Sequence, residues 1–194
     1  MDILFPPSEE SLIVRKTSLK DLTIVQDVCD VDGVRVLLPF SDTRVRACIH
    51  EAKFSHNVRA QKLLGAVYAA NARNENPSII IPVPLSRKRK NERGYNQVTE
   101  IARHARARMP GYFLKTNILK RSKDTKPQTE LGKAERAKNM QNVFRLIPKN
   151  VHLIKGKDII LLDDVITTGA TLREAKKELQ KAAPRSITCT ALAH

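Results

Sequence analysis

Residues 159–171, reading Ile-Ile-Leu-Leu-Asp-Asp-Val-Ile-Thr-Thr-Gly-Ala-Thr, constrain this chain more than any other stretch. Four branched apolar residues in a row have no polar face, the pattern of a strand buried on both sides within a parallel sheet. The strand ends in two adjacent carboxylates, Asp163 and Asp164. Parallel sheets open their ligand crevices at the C-terminal ends of their strands. Thr167, Thr168, Gly169, Ala170 and Thr171 then make a short hydroxyl-rich turn, and Leu172, Ala175 and Leu179 repeat behind it at helical spacing. Strand, turn and helix N-terminus follow in the order of an α/β unit.

Each residue type there has a chemical use. Backbone N–H groups at a helix start converge on phosphate oxygens and add the positive end of the helix dipole. Three threonine hydroxyls supply further donors, and Gly169 lets the backbone close tightly. Carboxylates accept hydrogen bonds from vicinal hydroxyls and repel phosphate, so Asp163 and Asp164 suit a sugar. An ordinary threonine-capped turn is the alternative, and the paired aspartates behind an apolar strand weigh against it. A Walker loop is excluded, because no Gly-Lys-Ser/Thr occurs. The segment resembles the 5-phosphoribosyl 1-diphosphate (PRPP) signature of type I phosphoribosyltransferases. The resemblance implies that Asp163 and Asp164 hold the ribose hydroxyls, with catalytic as well as binding roles, and that residues 167–171 wrap the 5′-phosphate.

The rest of the chain is consistent with an α/β fold of the type I phosphoribosyltransferase kind, a mostly parallel sheet flanked by helices. At 194 residues it has room for one core and a small addition. Residues 1–40 read as a small N-terminal β appendage to a domain over 41–194. Two strand-like runs, 22–25 and 34–38, flank an Asp-Gly turn at Asp32 and Gly33. Helices are expected at 44–53, at 58–71 with Leu63, Leu64, Val67 and Tyr68 inward, and at 97–109. Strands are expected at 78–84, 113–119, 143–147, 159–162 and 186–192. Residues 120–141 are strongly charged and poor in large apolar residues, which reads as a functional lid.

A second constellation narrows the family. Pro-Val-Pro-Leu-Ser at 82–86, Arg-Gly-Tyr-Asn-Gln at 93–97, and the stretch from Arg121 to Leu131 with Arg136 and Asn139 resemble, in order, the motifs of ComF-type phosphoribosyltransferase proteins. The resemblance places a diphosphate loop at Leu85, Ser86 and Arg87, with Arg93 nearby. Guanidinium forks suit phosphate. Lys126 and Arg136, together with Lys123, are implied to neutralise the leaving diphosphate. Mg2+ is implied with PRPP, held by substrate oxygens and water with an aspartate helping rather than by a protein cage, so no dedicated metal ligands are expected. Tyr95 is either a stacking surface or packing, with packing favoured, and Asn96 and Gln97 read as helix caps. Family members often begin with a four-cysteine zinc module; the first forty residues here contain only Cys29, so that module is expected to be lacking.

Charge separates two functions. The chain carries +15 formally, and residues 86–138 hold 16 Lys and Arg against 5 Asp and Glu. Such a region suits polyanions, and Arg87, Lys88, Arg89 and Lys90 are the candidate nucleic-acid contacts. One reading is a PRPP-binding, ComF-like protein that acts in DNA uptake during natural competence and binds single-stranded DNA. The other is an active, Mg-PRPP-dependent phosphoribosyltransferase of nucleotide synthesis or salvage, whose acceptor the 4% aromatic content does not reveal. Three scattered cysteines suggest a reducing cytoplasm, and no apolar run is long enough to span a bilayer. PRPP, single-stranded DNA and DNA-uptake proteins are the expected partners, with oligomerisation left open.

Overall fold

The computed structural model describes residues 6–72, 78–122 and 142–194. Six strands form one sheet: β1 (Cys29–Val31), β2 (Val34–Leu38), β3 (Ser78–Pro82), β4 (Phe113–Leu114), β7 (Asp158–Val165) and β8 (Ser186–Ala193). Their spatial order is β1-β2-β8-β7-β3-β4, and every pairing is parallel except that of β1 with β2. A separate antiparallel ribbon joins β5 (Leu119–Arg121) to β6 (Phe144–Leu146) at the two ends of the charged excursion.

The helices are α1 (Glu9–Lys16), α2 (Leu19–Ile24), α3 (Thr43–Phe54), α4 (Val58–Asn71), α5 (Arg87–Arg93), α6 (Gln97–Arg106) and α7 (Ala170–Gln180). Side chains alternate across a strand, so β7 feeds two cores. Ile160 and Leu162 pack with residues of α1, α3, α4 and α6. Ile159 and Leu161 pack with α7 and the β5–β6 ribbon. On the first face α4 and α6 approach closely at Gly65, where a Cβ would fall 2.9 Å from both His104 Cβ and the Ile101 carbonyl oxygen.

Mostly parallel topology and two-sided burial agree with the apolar run at 159–162, and the helices near 44–53 and 58–71 and the strand at 186–192 form as expected. The N-terminal forty residues differ from the β reading. Residues 22–25 run into α2 instead of a strand, because Ser18 and Asp21 form a reciprocal capping box and Leu22 is buried as helix against α4. The Asp32–Gly33 turn does close a hairpin, but its first strand is β1, and β2 goes on to pair with β8 in the main sheet. Residues 113–119 divide into β4 and β5, which belong to different sheets. Residues 87–93 form a helix that the sequence reading omits, started by the Ser86 hydroxyl accepting from Arg89 N–H and stopped at Gly94 with φ +77°.

The topology makes the crevice. From β3 the chain runs through α5 and α6 to β4 on one side, while from β7 it runs through α7 to β8 on the other. Adjacent strands whose connections diverge leave a gap at their C-terminal ends. Among the described residues no helix is long and apolar enough to cross a membrane.

Candidate functional site

The turn after β7 presents the start of a helix. Gly169 has φ +64° and is the residue before α7, whose N-terminus has no side-chain cap. The first N–H groups of a helix have no intrahelical partner, so an uncapped start offers them to an anion. The Thr168 hydroxyl oxygen is buried without a hydrogen-bond partner among the described residues. Asp163 and residues 165–172 together line a small hollow here. Arg173 lies against the same turn, with Nη1 3.0 Å from the position of a Gly169 Cβ and 3.6 Å from Asp32 Oδ2 at the hairpin tip.

The two carboxylates part company at the end of β7. Asp164 is buried: its Oδ2 accepts from Gln97 Nε2 at 2.7 Å and lies 3.2 Å from Lys53 Nζ, while its Oδ1 accepts from Val165 N–H. Burial pushes its carboxyl up, but Lys53 and these hydrogen bonds outweigh it and hold the group below the ordinary carboxylate value. Asp163 is half-buried, faces the hollow, and accepts from the Asp164 N–H through Oδ1. Burial, with the Asp164 charge beside it, raises the Asp163 carboxyl well above the usual range. Low dielectric and a like charge act in the same direction there.

Behind Asp164 the network continues outward. Gln97 Oε1 accepts from Arg93 Nη1 at 3.1 Å, and the Arg93 guanidinium lies over the Phe54 ring, 5.0 Å from its centroid. Tyr95 donates its hydroxyl proton to the Ala52 carbonyl and accepts from His56 N–H. Its role in the fold is therefore packing between α3 and the start of α6. Asn96 is a helix cap as expected, accepting from Val98 N–H, and it also ties itself to the Val83 carbonyl.

At the end of β3, Leu85 is half-buried and Ser86 buried, with the Ser86 hydroxyl turned to cap α5. Arg87, Lys88 and Lys90 are exposed and Arg89 half-buried on that helix. A cleft of about 490 Å3 opens between Pro82, α5, the first turns of α6 and β5. Lys123, Lys126 and Arg136 lie outside the described residues.

These strand ends belong to a stretch with known relatives. The phosphoribosyl transferase domain family matches residues 78–194, from β3 to the last residue. The chain belongs to that family. Within it the relatives are of the ComF kind: Competence protein F of Haemophilus influenzae is 39% identical over 118 residues, covering 60% of this chain and 50% of that protein. Competence protein ComFC of Bacillus subtilis is 32% identical over 99 residues, 51% of this chain and 37% of that protein. The chain spans about half the length of the curated relatives it matches. Among solved structures, glutamine PRPP amidotransferase from B. subtilis covers 74% of this chain and 30% of its own, with 16% identity and a TM-score of 0.47.

In this phosphoribosyltransferase domain the structure brings the expected turn and Asp163 together in one hollow but turns Asp164 away to Lys53, which the sequence reading does not name, and to Gln97, which it takes for a cap. A signal existed. Gln97 shares the inward face of α6 with Ile101 and Ala105, and Lys53 stands four residues after inward-facing Ile49 on α3. A polar residue on an apolar stripe needs a buried partner. Among the described residues no three His, Cys, Asp or Glu side chains cluster in a metal-binding group. The donor set present, one half-buried carboxylate beside a hydroxyl-rich turn, fits a magnesium ion carried mainly by substrate oxygens.

Proposed function

We propose that this chain binds PRPP with Mg2+ at the C-terminal ends of β7 and β3 and acts, as a ComF-type protein, in the uptake or handling of DNA. The observation that carries the PRPP reading is the pairing of the Asp163 carboxylate with the uncapped α7 N-terminus and the unpartnered Thr168 hydroxyl in one hollow. Asp163 would accept from the ribose hydroxyls, and residues 167–171 would donate to the 5′-phosphate. The diphosphate would reach the end of β3, where Leu85, Ser86 and Arg87 begin α5. Asp164, already bonded to Lys53 and Gln97, holds the strand end in place. When bound, magnesium would withdraw charge from the diphosphate and so favour its departure from C1. The DNA reading rests on the names of the relatives, competence and DNA utilization proteins.

Calorimetric titration with PRPP and Mg2+, followed by product analysis against ammonia and a panel of nucleobases, tests this reading. Binding without turnover supports a PRPP-responsive binding protein. Release of diphosphate with one acceptor would establish the transferase reading in its place. Failure of PRPP to bind with Mg2+ present would refute both.

A further inference from the structure

The cleft beyond β3 is larger than one diphosphate requires, and it does not stop where the phosphoribosyl site stops. Its walls carry Arg87 and Lys90 from α5, Arg103 from α6, and Lys120 and Arg121 from β5. Glu100 is the one acidic residue among its described lining residues, and Arg103 Nη1 holds it at 2.6 Å. Arg103 is also a wall of the next hollow along the sheet edge, which Arg106, Phe113, Leu114 and Lys115 complete. The two hollows therefore adjoin at Arg103, and cations line both of them from the end of β3 to the edge strand β4. Set among these cations is Phe113, 52% exposed on that edge strand.

This combination points to one partner chemistry. A solvated basic face needs no exposed aromatic, and a free diphosphate needs no path. A single strand of nucleic acid uses both, since its phosphates follow cations and its bases stack on aromatic rings without regard to sequence. We propose that this groove seats single-stranded nucleic acid, with the backbone on Arg103, Arg106, Lys115 and Lys120 and a base on Phe113. The proposal rests on the DNA-handling reading and narrows it. Of the four basic residues at 87–90, Arg87 and Lys90 face the groove; Lys88 and Arg89 do not line it, and Lys88 lies 4.0 Å from Glu92 across one helical turn. The strand and PRPP meet only at the Arg87 end, so each has most of its site to itself.

Fluorescence anisotropy with a labelled oligothymidylate, run across a salt series, tests the groove. Phe113→Ala should weaken binding about tenfold, whereas Phe113→Trp should retain it; the Trp variant, with thermal melts of both, separates lost stacking from lost folding. Arg106→Ala combined with Lys115→Ala should flatten the log–log salt dependence by about 1.4, at about 0.7 for each phosphate no longer neutralised. Lys88→Ala should change neither affinity nor slope. PRPP titrations of the Phe113 and Arg106/Lys115 variants should match the parent. Unchanged oligothymidylate affinity and slope in those variants, or no binding by the parent at low salt, would overturn the groove and leave the PRPP reading intact. Oligothymidylate binding that follows these expectations in a protein that ignores PRPP would refute the phosphoribosyl reading and leave the groove standing.

Discussion

Lys53→Met should expose how the end of β7 is held. In the parent, Lys53 is 26% exposed and Asp164 9% exposed, with Nζ 3.2 Å from Oδ2. Removing one partner of a fully buried ion pair costs about 3–5 kcal/mol, whereas fully exposed pairs are worth about 0–1 kcal/mol. This pair stands between the limits. Gln97 and the Val165 N–H would still bond the stranded carboxylate, so a loss of about 2 kcal/mol is expected. For a domain of this size that corresponds to a melting temperature lower by about 4–8 °C. The sign with pH follows from Asp164, whose folded value is depressed. Stability from such a carboxylate is present above its unfolded value and lost as pH falls through the folded one, so parent and variant should converge in acid. Urea unfolding of Lys53→Met, Asp164→Asn and the double variant closes a mutant cycle. The double variant should be more stable than the sum of the single losses allows, by at least about 1 kcal/mol. Strict additivity at neutral pH would refute the pairing as a source of stability.

Three other substitutions probe separate parts of the fold. Asp163→Asn should weaken PRPP–Mg binding and abolish proton release on binding; the released proton is read from calorimetric enthalpies in buffers of different ionisation heat, and the same release in the variant would place the titrating group elsewhere. Gly65→Ala should destabilise by about 1–3 kcal/mol, because the new methyl meets the Ile101 carbonyl and His104 Cβ at 2.9 Å and α4 must move off α6; a neutral melt would show that the helices yield easily. Gly169→Ala has a different cause: its nearest neighbour is the flexible Arg173 guanidinium, so left-handed backbone strain of about 1–2 kcal/mol should dominate. Its PRPP affinity should fall as well, and unaltered binding would mean that the turn does not need its present shape.

The elements legible in the sequence were those whose pattern is local. Residues 159–162 carry no polar face, and that alone placed β7 in the interior. The Asp42 and Asn57 caps stand directly before α3 and α4. Thr23, Ile24 and Val25 misled for the opposite reason: their β-branching favours a strand, but the Ser18–Asp21 box and the burial of Leu22 against α4 favour a helix. The hollow of the candidate site was legible where its lining is contiguous, as at 163–171. The site was not legible where partners come from distant segments, because a lysine on α3 and a glutamine on α6 show their common target only after both helices pack over β7.

That packing is why two neighbouring aspartates do different work. Successive side chains leave a strand on opposite sides, so Asp164 turns under α3 and α6 while Asp163 turns to the hollow before α7. The buried Asp164 charge helps raise the Asp163 carboxyl, and Lys53 tempers that rise. Lys53 therefore bears on the Asp163 carboxyl, the proposed ribose contact, from the other side of the strand. Taking it away should push Asp163 further up and move the onset of PRPP–Mg binding to higher pH, since the hydroxyls and the cation need the ionised form. The measurement is PRPP affinity against pH for the parent, Lys53→Met and Asp163→Asn, all checked for folding. If Lys53→Met shows the parent's pH profile at uniformly lower affinity, Lys53 supports the fold alone and the electrostatic link between the two carboxylates is refuted.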